Sequence, residues 1–270
     1  TLGNTRARRV PARAPRVIRH SRPCSGALGR AGCVSVAGGF QASRVDKLSR
    51  WMPSCICAQS KAQFREDCRL RPLLLSAQSQ SLRGRFVELG ALDGVTGSNT
   101  YALEKCLNWT GLLIEANPKS YAKLQVSGRS ATKVHSAVCR RPGYVNVTAH
   151  GSVFAGMPSE MSAAYIRSWG RHIPQRHAVV EVPCRSLTSL MQDNGLPSGA
   201  EFLSLDVQGA EELVLRAVDP AAFKVIMVEM DGFDKAKERR IHSLILNAGL
   251  KQANTSFRVP YSRVYTARSL

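Results

Sequence analysis

The 270-residue chain holds 38 Lys and Arg against 19 Asp and Glu, a net charge of +19 at pH 7, and 44% of its residues are hydrophobic. That supplies one core of ordinary size plus an appendage. No apolar run approaches the roughly 18 residues that would cross a bilayer as a helix, so a soluble protein without a membrane span is expected.

From Thr1 to Arg44 there are nine arginines, no lysine and no acid, broken by Ser, Ala, Gly and Pro. Without apolar periodicity such a segment cannot offset its ordering entropy, so residues 1–45 are expected to be a disordered basic leader. Its composition resembles a mitochondrial or plastid transit peptide, so location is open between an organelle and the cytoplasm. The opening on Thr1 leaves a fragment or a processed product equally open. Binding to nucleic acid through this arm is disfavoured, because no aromatics interleave the charge. Residues 46–80 read as a linker or lead-in helix, with Phe64, Cys68, Leu70 and Leu73 to Leu75 at weakly helical spacing.

Residues 81–270 read as the folded domain. Arg85 to Leu89 is an apolar strand, and Gly90, Gly94 and Gly97 precede a helix from about Asn99 to Leu107. A second strand covers Gly111 to Ile114, a helix Ser120 to Val126, a third strand Thr132 to Val138, and a further strand Gly143 to Ala149. The stretch from Gly151 to His177 lacks core periodicity apart from a short helix around Glu160 to Trp169, and its length marks a functional excursion. Then follow strand Val179 to Val182, helix Ser186 to Asn194, strand Glu201 to Val207, a helix from Ala210, strand Lys224 to Met230, helix Lys235 to Ala248 closed by Gly249, and strand Val264 to Ala267. Strands alternating with helices predict an open α/β sheet, mostly parallel. The eight cysteines are scattered, and Cys55-Ile56-Cys57 lacks the two-residue gap of a zinc knuckle, so reduced or buried thiols and no metal are expected from them.

The first strand leads into Glu88-Leu89-Gly90-Ala91-Leu92-Asp93-Gly94, with acid and glycines spaced as in a nucleotide-binding turn. Leu92 stands where a dinucleotide fingerprint needs its second glycine for pyrophosphate approach, which argues for a cofactor without phosphate, such as S-adenosylmethionine. Glu88 is then expected to face the positively charged methionine end, with Gly90, Ala91, Asp93, Gly94 and Asn99 forming the rest of the cofactor loop. Glu115 ends the second strand, where an acid can accept both ribose hydroxyls, with Ala116 beside it; a surface pair with Lys119 is the alternative. Ser136 and Ala137, at the end of the third strand, are candidates for an adenine pocket. In EFLSLDVQGAEELVL, residues 201–215, a strand delivers Asp206 to the carboxyl edge. Asp206 is the candidate catalytic base; ligating a divalent cation and capping the next helix are its other readings. Glu229 repeats this geometry on the following strand.

The blocks FVELGALDGVTGSNT, GLLIEANP, VPCRSL and FLSLDVQGAEELVL together resemble the FkbM family of methyltransferases over roughly residues 83–267. The resemblance implies a Rossmann-like, doubly wound sheet of the class I methyltransferase type and S-adenosylmethionine as cofactor. It also implies transfer to a hydroxyl of a sugar or small natural product, so the expected partner is a small-molecule or glycan acceptor. It maps Glu88, Gly90 and Glu115 onto cofactor-contacting positions, and Asp206 with Glu211 onto the family's D-x-E-G-x-E block. Gln208 replaces that block's first glutamate. A non-catalytic cofactor-binding protein and an RNA-directed methyltransferase are the rival readings, and metal dependence is open.

Overall fold

The computed structural model describes residues 54–78, 83–172 and 178–270. The leader expected over 1–45 lies outside the described residues. Within them, the apolar runs become strands β1 (Arg85–Leu89), β2 (Thr110–Glu115), β3 (Thr132–His135), β4 (Ala137–Val138), β5 (Gly143–Thr148), β6 (Val179–Arg185), β7 (Ala200–Leu205), β8 (Phe223–Glu229), β9 (Lys251–Gln252) and β10 (Ser262–Thr266). The helices are α1 (54–59), α2 (Glu66–Gln78), α3 (Tyr101–Leu107), α4 (Pro118–Gln125), α5 (Ala163–Trp169), α6 (Leu187–Asp193), α7 (Glu211–Leu215) and α8 (Lys235–Asn247).

Seven strands form one sheet in the order β3-β2-β1-β7-β8-β10-β9, parallel except for β10, which runs against both neighbours. The chain builds outward from β1 to β3 and then returns to place β7 on the other side of β1. That reversal opens a crevice at the carboxyl ends of β1 and β7, the usual ligand position in such sheets. This is the doubly wound, Rossmann-like sheet of the class I methyltransferase type.

Side chains alternate along each strand, so the two faces have separate cores. Val87 and Leu89 of β1 pack with Leu190 of α6, Leu215 of α7 and Ile241 of α8. Phe86, on the opposite face, packs with Leu70 and Leu74 of α2 and Leu103 and Leu107 of α3. Caps fix the helix ends: Asn117 accepts from the amides of Lys119 and Ser120 at the start of α4, and Asp234 does the same for α8 through Ala236 and Lys237. Gly249, at φ +91°, ends α8 in the left-handed region.

Two expectations are corrected. The third strand does not run unbroken to Val138. After β3 the chain leaves the main sheet at Ser136, whose hydroxyl bonds the Ala137 and Pro183 carbonyls, and β4 pairs instead with β6 in a second sheet, β4-β6-β5. Among the described residues, the cysteines are also not free thiols. Cys55 pairs with Cys106, Cys57 with Cys68 and Cys139 with Cys184, at Cα separations of 5.8, 4.7 and 5.7 Å that suit a disulfide. The first two fasten α1 to α3 and to α2; the third fastens the second sheet.

Candidate active site

After β1 the chain turns sharply at Gly90, φ +79°, where the Gly90 and Ala91 amides both donate to the Ile114 carbonyl. A Cβ at Gly90 would come within 1.8 Å of the Asp206 carbonyl oxygen, so only glycine lets the β1 and β7 ends lie this close. Further along the loop, Asp93 accepts from the Val95 and Thr96 amides and the Thr96 hydroxyl, closing a turn.

Glu88 does not line the cleft. It shares a face with Phe86, where its carboxylate accepts from the Ser98 hydroxyl at 2.8 Å, the Asn99 amide at 2.7 Å and the Thr100 hydroxyl at 2.6 Å. Burial pushes its pKa up, against the pull of the Arg129 guanidinium and these donors. Arg129, which sequence reading missed, is the buried centre of this loop. It bonds Glu104 at 2.8 Å, the Gly94 carbonyl at 2.6 Å, the Ser98 hydroxyl at 3.1 Å and the Thr100 hydroxyl at 3.0 Å. Asn99 turns its amide to Ser204 on β7. Ala91, Asp93, Gly94 and Asn99 therefore shape the loop from behind and do not line the cleft.

Glu115 does line it. Its carboxylate is fixed by the Leu92 amide at 2.8 Å and the Asn117 amide at 2.7 Å, which leaves each oxygen with a lone pair for a ligand. Burial pushes its pKa up to about 7, more than those amides hold it down. Asn117 reaches back to the Thr148 and His150 carbonyls and so ties this strand end to β5.

At the end of β7, Asp206 faces Glu229 of β8 across the side chain of Gln208. The Gln208 amide nitrogen donates to Asp206 at 2.6 Å and to Glu229 at 3.2 Å, while its carbonyl oxygen accepts a short bond from the Tyr165 hydroxyl. Gln208 stands at φ +54°, a conformation that is rare for a residue with a side chain. Beneath the turn, Glu211 accepts from the Val207 and Gly209 amides, so it is Glu211 that supports the backbone here. Burial raises both members of the carboxyl pair, and the Asp206 charge drives Glu229 up further, so the two titrate as a pair.

These groups open onto one cavity of about 620 Å³. Of the sequence candidates it collects Gly90, Glu115, Ala116, Ser136, Ala137 and Asp206. It adds residues that sequence reading left out: Phe64 before α2, Phe154 and Tyr165 in the excursion, and Asp231 and Phe233 after β8. Trp169 of α5 also lines it, whereas Arg167 does not; Arg176 and the side chain of Arg171 lie outside the described residues. Among the described residues, four carboxylates and no Lys or Arg line the cavity, the acids being Glu115, Asp206, Glu229 and Asp231.

A model of the FkbM methyltransferase domain matches residues 88–252. The chain belongs to this methyltransferase family. No curated protein matches the chain. Among solved structures, methyltransferase FkbM from Methylobacillus flagellatus KT is 10% identical with a TM-score of 0.43, over 83% of this chain and 59% of that one. The O-methyltransferase from Bacillus cereus in complex with SAH is 9% identical with a TM-score of 0.35, over 86% and 92%. The SAH-bound Podospora anserina methyltransferase PaMTH1 is 8% identical with a TM-score of 0.37, over 87% and 100%. The chain spans less than two thirds of the length of the first of these.

FkbM methyltransferases depend on S-adenosylmethionine, a phosphate-free nucleoside sulfonium, and the cavity fits such a group on its own chemistry. A lining with four acids and no base favours a cation and repels a pyrophosphate. Glu115 offers free lone pairs to a diol, and Ala137 and Val138 offer an apolar wall to an adenine.

Proposed function

We propose that this FkbM domain transfers the methyl group of S-adenosylmethionine to a hydroxyl oxygen of a small-molecule or glycan acceptor. The observation that carries the reading is the placement of Glu115 and the Asp206–Glu229 pair in one cavity at the strand ends that no described Lys or Arg lines. Glu115 would hold the ribose hydroxyls, Gly90 would admit the ligand to the backbone, and Ser136 and Ala137 would border the adenine. Held there, the cofactor would supply an electrophilic methyl whose sulfonium sulfur is the leaving group for the acceptor oxygen. The chain must therefore align the acceptor, keep water out and take the hydroxyl proton. Asp206 is the group for that proton, and Gln208 holds its carboxylate toward the cavity.

Gln208 is suited to this task although the family pattern has glutamate there. An amide donates to both carboxyls at once, whereas a third carboxylate would repel them. The test is calorimetry with S-adenosylhomocysteine alongside a radiolabelled-methyl assay. Asp206→Asn should retain product binding and lose transfer; normal transfer by that variant would remove Asp206 as the base.

We further infer that the domain matures in an oxidising compartment, in preference to the cytoplasm. Three disulfides in one domain support this, since reduced cytoplasm disfavours them. Non-reducing peptide mapping of protein from its native source should recover all three pairs; free thiols at these positions would reject the inference.

A further inference from the structure

Beside Asp206 the cavity is also walled by residues of the excursion and of the loop after β8. This wall is aromatic: Phe154 stacks on Trp169 with centroids 5.2 Å apart, and Tyr165 meets Phe233 edge-on at 6.1 Å. Asp231 also lines the cavity, with one carboxylate oxygen accepting the Phe233 amide at 2.9 Å. The nearby Lys237 spends its ammonium on the Glu160 and Gly209 carbonyls and does not line the cavity. Asp231 is thus a half-buried carboxylate that, among the described residues, no Lys or Arg of the cavity wall answers, the charge of Lys237 acting on it from outside that wall.

On the methyltransferase reading above, we propose that the acceptor is a hydroxyl compound bearing a protonated amine, whose ammonium sits between Asp231 and the rings of Phe154, Trp169 and Phe233 while its hydroxyl meets Asp206. The charge pattern selects this class over its neighbours. An anionic acceptor, phosphorylated or carboxylated, would meet only like charge. A neutral one could return a hydrogen bond to Asp231 but no opposite charge to offset its desolvation. An ammonium is attracted both by the carboxylate and by the electron-rich ring faces, the pairing that aromatic cages use for cationic ligands.

The test uses the full chain saturated with S-adenosylhomocysteine and three probes of one shape: 4-hydroxybenzylamine, its N-acetyl derivative and 4-hydroxybenzoate. Calorimetry should show the amine binding at least ten-fold more tightly than the neutral amide, with the carboxylate weakest. Asp231→Asn should bring the amine down to the level of the amide, and Asp231→Glu should keep the preference; retained affinity for S-adenosylhomocysteine reports that each variant is folded. Equal or tighter binding of the amide or the carboxylate, or no binding of any probe to the loaded protein, overturns the inference alone. Failure of S-adenosylhomocysteine itself to bind overturns the underlying reading and this inference with it.

Discussion

The side-chain amide of Gln208 lies 2.6 Å from the Asp206 carboxylate, and the same nitrogen reaches Glu229. A glutamate at 208 would bring a third acid to two carboxyls whose pKa values burial already raises. Gln208→Glu should therefore move the pH midpoint of methyl transfer upward by about one unit or more, because each added negative charge makes the base harder to ionise. A pH profile of kcat checks this, and an unchanged or lowered midpoint would show that Gln208 does not act on the pair.

Glu115 gives cofactor binding its own pH dependence. Burial raises its pKa from the ordinary 4.5 to about 7, so the native state holds a proton there that the unfolded chain has lost. Its contribution to stability is fully present below 4.5 and is lost as pH rises through about 7. Ligand binding runs the other way, since only the ionised carboxylate can accept from both ribose hydroxyls. Affinity for S-adenosylhomocysteine should rise through that window by about 1.5–3 kcal/mol, the worth of a charged hydrogen bond. Calorimetry across pH should show that rise, and Glu115→Gln should flatten it.

Arg129 and Glu104 form a buried pair at 2.8 Å on which the cofactor loop rests. Arg129→Met removes one charge and strands the other, which should cost about 3–5 kcal/mol. Urea unfolding measures it; a loss below about 1 kcal/mol would mean that Ser98, Thr100 and Gly94 hold the loop without the guanidinium.

Two disulfides anchor the segment that brings Phe64 to the cleft, where it meets Tyr261 with centroids 5.6 Å apart. Each closes a loop whose removal should cost about 2–4 kcal/mol. Mild reduction should therefore lower Tm and weaken binding of the acceptor more than of the cofactor. Equal loss of both would place the effect in global unfolding and not at the cleft mouth.

Much of the sheet was legible because β1, β2, β7 and β8 are continuous apolar runs whose carboxyl ends carry glycine or acid. The break at Ser136 was not, since it depends on β6, more than 40 residues away, offering β4 a partner. Glu88 shows the limit of spacing: E-x-G marks a turn, but period-two alternation with Phe86 decides which face the acid takes. The disulfides required proximity that spacing does not encode. Asp231 carried a readable signal, an acid just past a buried strand, the same cue that singled out Asp206.

The match to the family model begins at Glu88, but the folded unit does not. Leu70 and Leu74 of α2, a helix that packs on β7 and β8, are fully buried, and Cys106 has its partner in α1. An expression clone trimmed to the matched boundaries would lay bare a greasy flank, orphan a thiol and lose one jamb of the doorway to the cavity. Recombinant work on this enzyme should start no later than residue 54.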